Sequence, residues 1–321
     1  METLLTHLPF LALSTTFPKK IKRAYRHDPV LLEASIDHLN IKEGGVYVDC
    51  TTNRGGHSVR IAKVLGKNGT LVCIDLDRNA LQEAQTALGK YKNVPTIHFV
   101  QGNFRNIKTI LSELGIHRVD GVLADLGLSS QELDSSKRGF SFRFDEPLLM
   151  TFDDKPTEDM TTATDIVNFW NESTIADILF GFADERYAKR IAHAIIEARK
   201  VKPISTTFQL VDIIASAIPA LYRHKPTHFA TKTFQALRMA TNDELGSIQE
   251  LITSLPSVLN EQGRACFITF HSTEDRIVKQ ELKKIQESIK FVSKKAITPS
   301  LEEITTNPRS RSAQLRVVER V

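Results

Sequence analysis

Cysteine is scarce, with three in 321 residues. Cys50, Cys73 and Cys266 each lie in or beside an apolar, strand-like run. An odd number so placed excludes a disulfide scaffold and points to a reducing, cytoplasmic setting. None has the paired spacing of a zinc site, so no metal is expected. Long apolar runs are absent too. Residues 4–13 come closest, but the stretch is short, is broken by His7 and Pro9, and has no basic residue before it. It fails the tests for a membrane span and for a signal peptide, so no membrane partner is expected. The chain also lacks the three-glycine GxGxxG pattern of a dinucleotide site. A net charge of +4 permits nucleic acid without demanding it.

What is present reads as an α/β protein with a sizeable core: 41% of residues are hydrophobic and 25% charged, and the length suggests about two domains. Residues 46–77 organise the chain. Val46, Tyr47 and Val48 form an apolar run ending at Asp49, and Asn53-Arg54-Gly55-Gly56 breaks it. A helical pattern follows to Gly66, and Leu71 to Ile74 make a second run ending at Asp75. This is a strand–helix–strand unit. Its glycines let backbone approach a ligand, and its helix start is polarised positive. Acids at both strand ends suit a cationic cofactor such as S-adenosylmethionine better than a pyrophosphate. The plainer reading is a glycine turn with solvated aspartates.

The alternation continues through a third strand at 97–100, followed by Phe104, and a fourth at 119–123, ending at Asp125. Strands alternating with helices imply a mainly parallel, doubly wound sheet, with ligands at the strands' carboxyl ends. Asp49, Asp75, Phe104 and Asp125 converge there. From about 130 to 229 the alternation stops and four helices are expected, one of them over 185–200 carrying Arg186, Lys189 and Arg190. That run either holds RNA phosphates or is a salt-bridged solvent face shared with Asp184, Glu185 and Glu197. Phe140, Phe142 and Phe144, interleaved with Arg138 and Arg143, either stack on RNA bases or form a seam between domains. The alternation resumes with helices over 233–239 and 244–255, a strand at 265–270 ending at His271, and a helix capped by Ser272. Residues 291–297 and 314–321 are expected to pair as a closing antiparallel hairpin. The domains are therefore a discontinuous α/β unit, 24–129 with 230–321, and an inserted all-helical unit, 130–229. Residues 1–23 read as a weakly ordered extension.

Six separated motifs carry a resemblance: Arg54-Gly55-Gly56-His57-Ser58, Asp125-Leu126-Gly127-Leu128-Ser129-Ser130, Arg138-Gly139-Phe140-Ser141-Phe142, Glu185-Arg186-Tyr187-Ala188-Lys189-Arg190, Phe270-His271-Ser272 with Glu274-Asp275-Arg276, and Asn307-Pro308-Arg309-Ser310-Arg311. Together, over residues 24–321, they resemble the RsmH (MraW) family, bacterial methyltransferases of the cytosine N4 position in 16S (small-subunit) ribosomal RNA. The resemblance implies a Rossmann-like, seven-stranded S-adenosylmethionine-dependent methyltransferase fold with the first and fourth strands central, an inserted helical substrate-binding domain, and 16S rRNA or the small ribosomal subunit as partner. It leaves a homodimer open. By position, Gly55, Gly56 and His57 match the cofactor loop, Asp75 the ribose-binding acid, and Phe104 and Asp125 further cofactor contacts. The family's usual Ser-Ser-Pro-Gln reads Ser129-Ser130-Gln131-Glu132 here, so Glu132 holds the position of a cofactor-contacting glutamine. Thr52-Asn53 replaces the usual Phe-Gly, and Leu149 a usual aspartate.

The chemistry follows from the acceptor. A cytosine amine is a poor nucleophile, and a sulfonium methyl is already activated, so alignment is the main task. An acceptor for the amine N–H helps, and Asp125 is the candidate catalytic residue, against a purely cofactor-binding role. His57 and His271 are weaker candidates. Carbon-5 methylation would need a cysteine at the fourth strand end, and none is there. Two rival classes remain on the same fold: a nicotinamide-dependent oxidoreductase, and a non-catalytic RNA-binding factor.

Overall fold

The computed structural model describes residues 29–129, 133, 136–157, 159–224 and 227–321. The extension over 1–23, Ser130, Gln131 and Glu132 lie outside the described residues.

The chain builds a three-layer α/β/α unit with helices inserted between its fourth and fifth strands. In order the elements are α1 (Leu32–Leu39), β1 (Val46–Asp49), α2 (Gly56–Leu65), β2 (Thr70–Asp75), α3 (Arg78–Leu88), β3 (Thr96–Gln101), α4 (Ile107–Glu113) and β4 (Val119–Asp125). There follow α5 (Ala163–Phe169), α6 (Glu172–Ala183), α7 (Ala188–Val201), α8 (Thr207–Ala217), α9 (Ala220–Arg223) and α10 (Thr231–Thr241). Then come α11 (Glu244–Val258), β5 (Leu259–Thr269), α12 (Ser272–Lys284), β6 (Ile289–Phe291), α13 (Leu301–Thr306) and β7 (Gln314–Arg320).

The seven strands run in the order β3-β2-β1-β4-β5-β7-β6. β1 to β5 are parallel, while β7 is antiparallel to both β5 and β6. The first and fourth strands are central, as expected. Side chains alternate across the sheet with a period of two. Val48, Val72, Ile74, Val122, Ala124, Ala265 and Phe267 face α4, α11 and α12. Tyr47, Leu71, Cys73, Leu123, Cys266 and Ile268 face α1 and α2 on the other side. Both faces are covered, which is why these strands read as continuous apolar runs rather than alternating ones.

The helical part has its own core, built around Leu148, Ile166, Leu179, Ile191, Ile195, Leu210 and Ile214, and reaching into α10 through Phe234 and Leu237. Local sequence starts its helices: Thr162 with Asp165 and Thr206 with Gln209 form reciprocal capping boxes at α5 and α8. Arg138 ties it to the sheet. Its buried guanidinium donates to the carbonyls of Thr151 (3.0 Å) and Phe152 (2.6 Å) and to Asp77 Oδ2 (2.7 Å), the residue that caps α3. Phe140 lies inside the helical core, Phe142 stacks on His228 at 4.2 Å between ring centres, and Phe144 is exposed.

Two local expectations are corrected. The N-cap of α12 is His271, not Ser272: His271 has extended backbone and its ring Nδ1 accepts from Glu274 N at 3.3 Å, while Ser272 is already helical. Asp275, in the first turn of α12, is held bidentately by Arg316 of β7 at 2.6 and 2.9 Å. The closing hairpin pairs Ile289–Phe291, not 291–297, with β7, and beyond Phe291 Val292 N donates to the Val317 carbonyl and Ile297 bridges to Leu315. Its connection contains α13 and a short 3-10 turn over 308–312.

Candidate active site

At the carboxyl ends of β1 to β4 lies a cleft open to solvent, the place where ligands bind in parallel α/β sheets. Its near wall is Cys50, Thr51 and Asn53 after β1, Asp75 and Leu76 after β2, Gly102, Asn103 and Phe104 after β3, and Leu126 and Gly127 after β4. Its far wall is Phe152 from the inserted part, Asn242 between α10 and α11, and Glu244, Ser247 and Ile248 of α11.

The expected residues take different places around it. Asp75 and Phe104 line the cleft. Asp75 accepts the N–H groups of Asn53 (2.7 Å) and Asp77 (2.9 Å), which shapes the turn after β1. Gly55, Gly56, His57, Asp49 and Asp125 stand behind or beside the lining. Gly55 has φ +80, and a Cβ on Gly56 would lie 2.3 Å from Pro29 Cγ, so both glycines are needed for the turn to form against α1. Asp49 is fully buried and accepts from Ser58 Oγ at 2.5 Å and from Thr51 N at 3.2 Å. Burial lifts both Asp49 and Asp75 to about 6.

Asp125 is the least satisfied of these acids. Its backbone N–H donates to Thr51 Oγ1 at 2.7 Å, which fixes the strand end. Its carboxylate has no donor: Oδ1 has no hydrogen-bond partner among the described residues, and Oδ2 is 3.7 Å from His57 Nδ1. His57 Nε2 donates to the Val30 carbonyl at 3.2 Å, so Nδ1 is the bare nitrogen, and burial pushes the imidazole down to about 4. His57 is therefore neutral and gives Asp125 no charge. Burial, with the nearby Asp49 and Glu274 carboxylates, holds Asp125 well above the usual carboxylate range.

Behind the β4–β5 end is a second acidic group. Arg238 of α10 grips Glu244 at 2.6 and 2.8 Å and lies 3.7 Å from Glu274 Oε1. Glu274 is fully buried. It accepts from Phe270 N at 2.8 Å and lies 2.8 Å from His271 Nε2, although that ring N–H is not aligned on it as a hydrogen bond. Burial pushes Glu274 up, but His271, Arg238 and the Phe270 N–H together hold it below the usual range, whereas burial keeps Glu244 above it despite Arg238.

The residues present fit a cationic ligand with hydroxyl and amine donors. Asp75 and Glu244 line the cleft, Asp125 and Glu274 stand behind it, and Asp125 Oδ1 has no donor among the described residues. The far wall was not visible in the sequence. Asn242 is its hinge: Oδ1 accepts from Phe152 N and Nδ2 donates to the Met150 carbonyl, both at 2.7 Å. The one local sign was the Asn242-Asp243 break between two helices.

A family model described as the MraW methylase family matches residues 24–321. The chain is 44% identical over 314 residues to "Ribosomal RNA small subunit methyltransferase H" of Clostridioides difficile, covering 92% of this chain and 99% of that one. It is 42% identical over 315 residues to the protein of the same name in Brevibacillus brevis, covering 93% and 99%. Among solved structures, a "putative rRNA-methylase" from Clostridium thermocellum aligns with 91% of this chain and 98% of its own at 12% identity and a TM-score of 0.46.

Proposed function

Since the chain belongs to the MraW methylase family, we propose that it transfers a methyl group from S-adenosylmethionine to the exocyclic N4 of a cytidine in small-subunit (16S) rRNA. The observation that carries the acceptor chemistry is Asp125: a partly buried carboxylate at the β4 end whose buried Oδ1 has no partner among the described residues and whose proton affinity is raised.

Bound S-adenosylmethionine supplies an activated methyl on a positively charged sulfur. The chain's own groups do the rest. Asp75 takes the ribose hydroxyls and the Phe104 ring the adenine, while the Gly55-Gly56-His57 turn and Asp125 complete the cofactor side. Glu132 joins them by its position in the family motif. Asp125 has a second task. It accepts an N–H of the incoming amine, which pyramidalises the nitrogen, and would take the proton as the N–CH₃ bond forms and the CH₃–S bond breaks, the neutral thioether leaving. A carboxylate with raised proton affinity is the better base for this. His57, neutral and fixed by Val30, adds no positive charge of its own beside Asp125, and His271 stands nearby as a cap. The inserted helical unit, 130–229, holds the RNA. A base inside paired RNA must be extruded to reach the cleft.

The state of the cysteines supports nitrogen over carbon-5. Cys50 lines the cleft, but burial pushes its thiol well above the ordinary value, and Cys73 and Cys266 are raised to about 12. None supplies the thiolate that carbon-5 transfer needs.

Purified protein with labelled cofactor is expected to label rRNA in small subunits from cells lacking the enzyme, and no label under conditions where a relative works rejects the catalytic reading. Adenosylhomocysteine, and not NAD, is expected to raise the melting temperature. Cofactor binding should also release protons. A cationic ligand with ribose donors favours ionised Asp75 and Asp49, which the free protein holds at about 6. Affinity is thus expected to rise between pH 5 and 7 and to weaken as pH falls through 6. Calorimetry in buffers of different ionisation enthalpy reads this directly, and a flat profile would remove these acids from cofactor binding.

A further inference from the structure

The first turn of α7 breaks the rules of helix electrostatics. Arg186, Lys189 and Arg190 cluster at the helix's positive end, where acids are favoured, and the turn contains no acid. Arg186 lies just before the cap, and Lys189 and Arg190 lie in the first turn itself. The N-cap, Tyr187, gives no side-chain cap.

The expected compensation is missing. Among the described residues none of the three cations lies within 4 Å of a carboxylate, although the same helix does form such pairs lower down, at His193–Glu172 and Lys200–Glu197. Glu185 is turned inward, fully buried, with Oε1 accepting Tyr187 N at 2.9 Å and Oε2 unpartnered. Asp184 offers its backbone carbonyl to Lys232 Nζ at 2.7 Å. The salt-bridged reading therefore holds for the second half of α7 and fails for its start.

The cations frame aromatic surface. The Arg186 and Arg190 guanidinium groups both lie 5.8 Å from the centre of the Tyr187 ring, and Tyr187 meets Tyr222 of α9 edge to face at 4.9 Å. Both rings are partly exposed. The place is also fixed relative to the cleft. Lys232, which holds Asp184, begins α10, and the far end of α10 delivers Asn242 to the cleft wall. An 11-residue helix spans about 16 Å. A few nucleotides of extended strand cover that distance.

We propose that Arg186, Lys189 and Arg190, with Tyr187 and Tyr222, form a docking surface for unpaired RNA flanking the methylated base. The inference rests on the function proposed above and assigns its RNA contact to a specific place. Phosphates neutralise the three cations at a helix end that already attracts anions, and the rings stack on an unpaired base.

The test uses the whole protein and a fluorescent, cytidine-rich single strand of about twelve nucleotides. Arg186→Gln with Arg190→Gln is expected to lower the slope of log affinity against log salt by about 1.4, at roughly 0.7 for each phosphate that is no longer neutralised. Adenosylhomocysteine affinity is expected to stay within twofold, and KM for small subunits to rise about tenfold with kcat little changed. The parent protein is expected to prefer the single strand over the same sequence as a duplex. An unchanged salt slope overturns the surface, and so does equal competition by polyglutamate at matched charge, which would mark an acidic protein as the partner. Binding is read here without methyl transfer. A parent protein that binds as described but transfers no label would therefore strike the proposed reaction and leave the surface standing.

Discussion

Asp125→Ala is expected to lower methyl transfer to small ribosomal subunits by at least about 10²-fold, the lower range for a positioned proton acceptor. The side chain has no other visible employment: Oδ1 has no partner among the described residues, and His57, 3.7 Å from Oδ2, turns a bare nitrogen toward it. A buried carboxylate oxygen without a donor, as Oδ1 is among the described residues, is a cost to the folded state, on the order of 1–3 kcal/mol for an unmade hydrogen bond. Asp125→Asn removes that charge, keeps the shape and cannot take a proton. It is therefore expected to melt no lower than the parent while losing transfer like the alanine variant. Adenosylhomocysteine affinity separates the two roles of Asp125. If affinity and transfer fall together in the asparagine variant, Asp125 is a cofactor contact alone, and near-normal turnover removes it from the mechanism altogether.

The second large effect is on stability. Arg238→Met is expected to destabilise the protein by about 3–5 kcal/mol, because it leaves two buried carboxylates without their cation. Glu244 loses both of its charge-assisted bonds, and Glu274, fully buried, keeps only Phe270 N and the misaligned His271. At roughly 2–4 °C per kcal/mol, the melting temperature should fall by about 10 °C. The cause is the stranded charge rather than poorer packing, so adding Glu244→Gln and Glu274→Gln to Arg238→Met is expected to restore most of the stability. A fall of only a degree or two in the single variant, or no recovery in the triple, would show that the network does not hold α10, α11 and α12 together. Because Glu244 and Asn242 line the cleft, the single variant should also bind adenosylhomocysteine more weakly than its stability alone explains.

Features set by a few neighbouring residues were legible in the sequence. The βαβ unit, the glycine turn and the acids at the ends of β1, β2 and β4 follow from two periods and a break, and their convergence follows from parallel strands. Depth was not legible. Arg138 and Phe140 sit in a stretch that alternates cations with aromatics, yet Arg138 is buried on three oxygen acceptors and Phe140 is inside the helical core, while Phe144 alone of the three rings is exposed. Nor was the far wall of the cleft legible. Phe152 and Glu244 are far apart in the chain and meet only because Asn242 bonds across the break between α10 and α11. The cap of α12 was misplaced by one residue because a histidine ring nitrogen does the work that a serine hydroxyl usually does. In each case the deciding contact joins segments whose spacing carries no period.

The central claim concerns one atom of one base, so it is tested most directly by nucleoside mass spectrometry of 16S rRNA. Small subunits from cells lacking the enzyme are incubated with the purified protein and S-adenosylmethionine, and the rRNA is then digested. The expected product is N4-methylcytidine at a single position, absent when the protein is omitted. The appearance of 5-methylcytidine instead, or methylation of any base other than cytosine, would refute the acceptor chemistry assigned to Asp125.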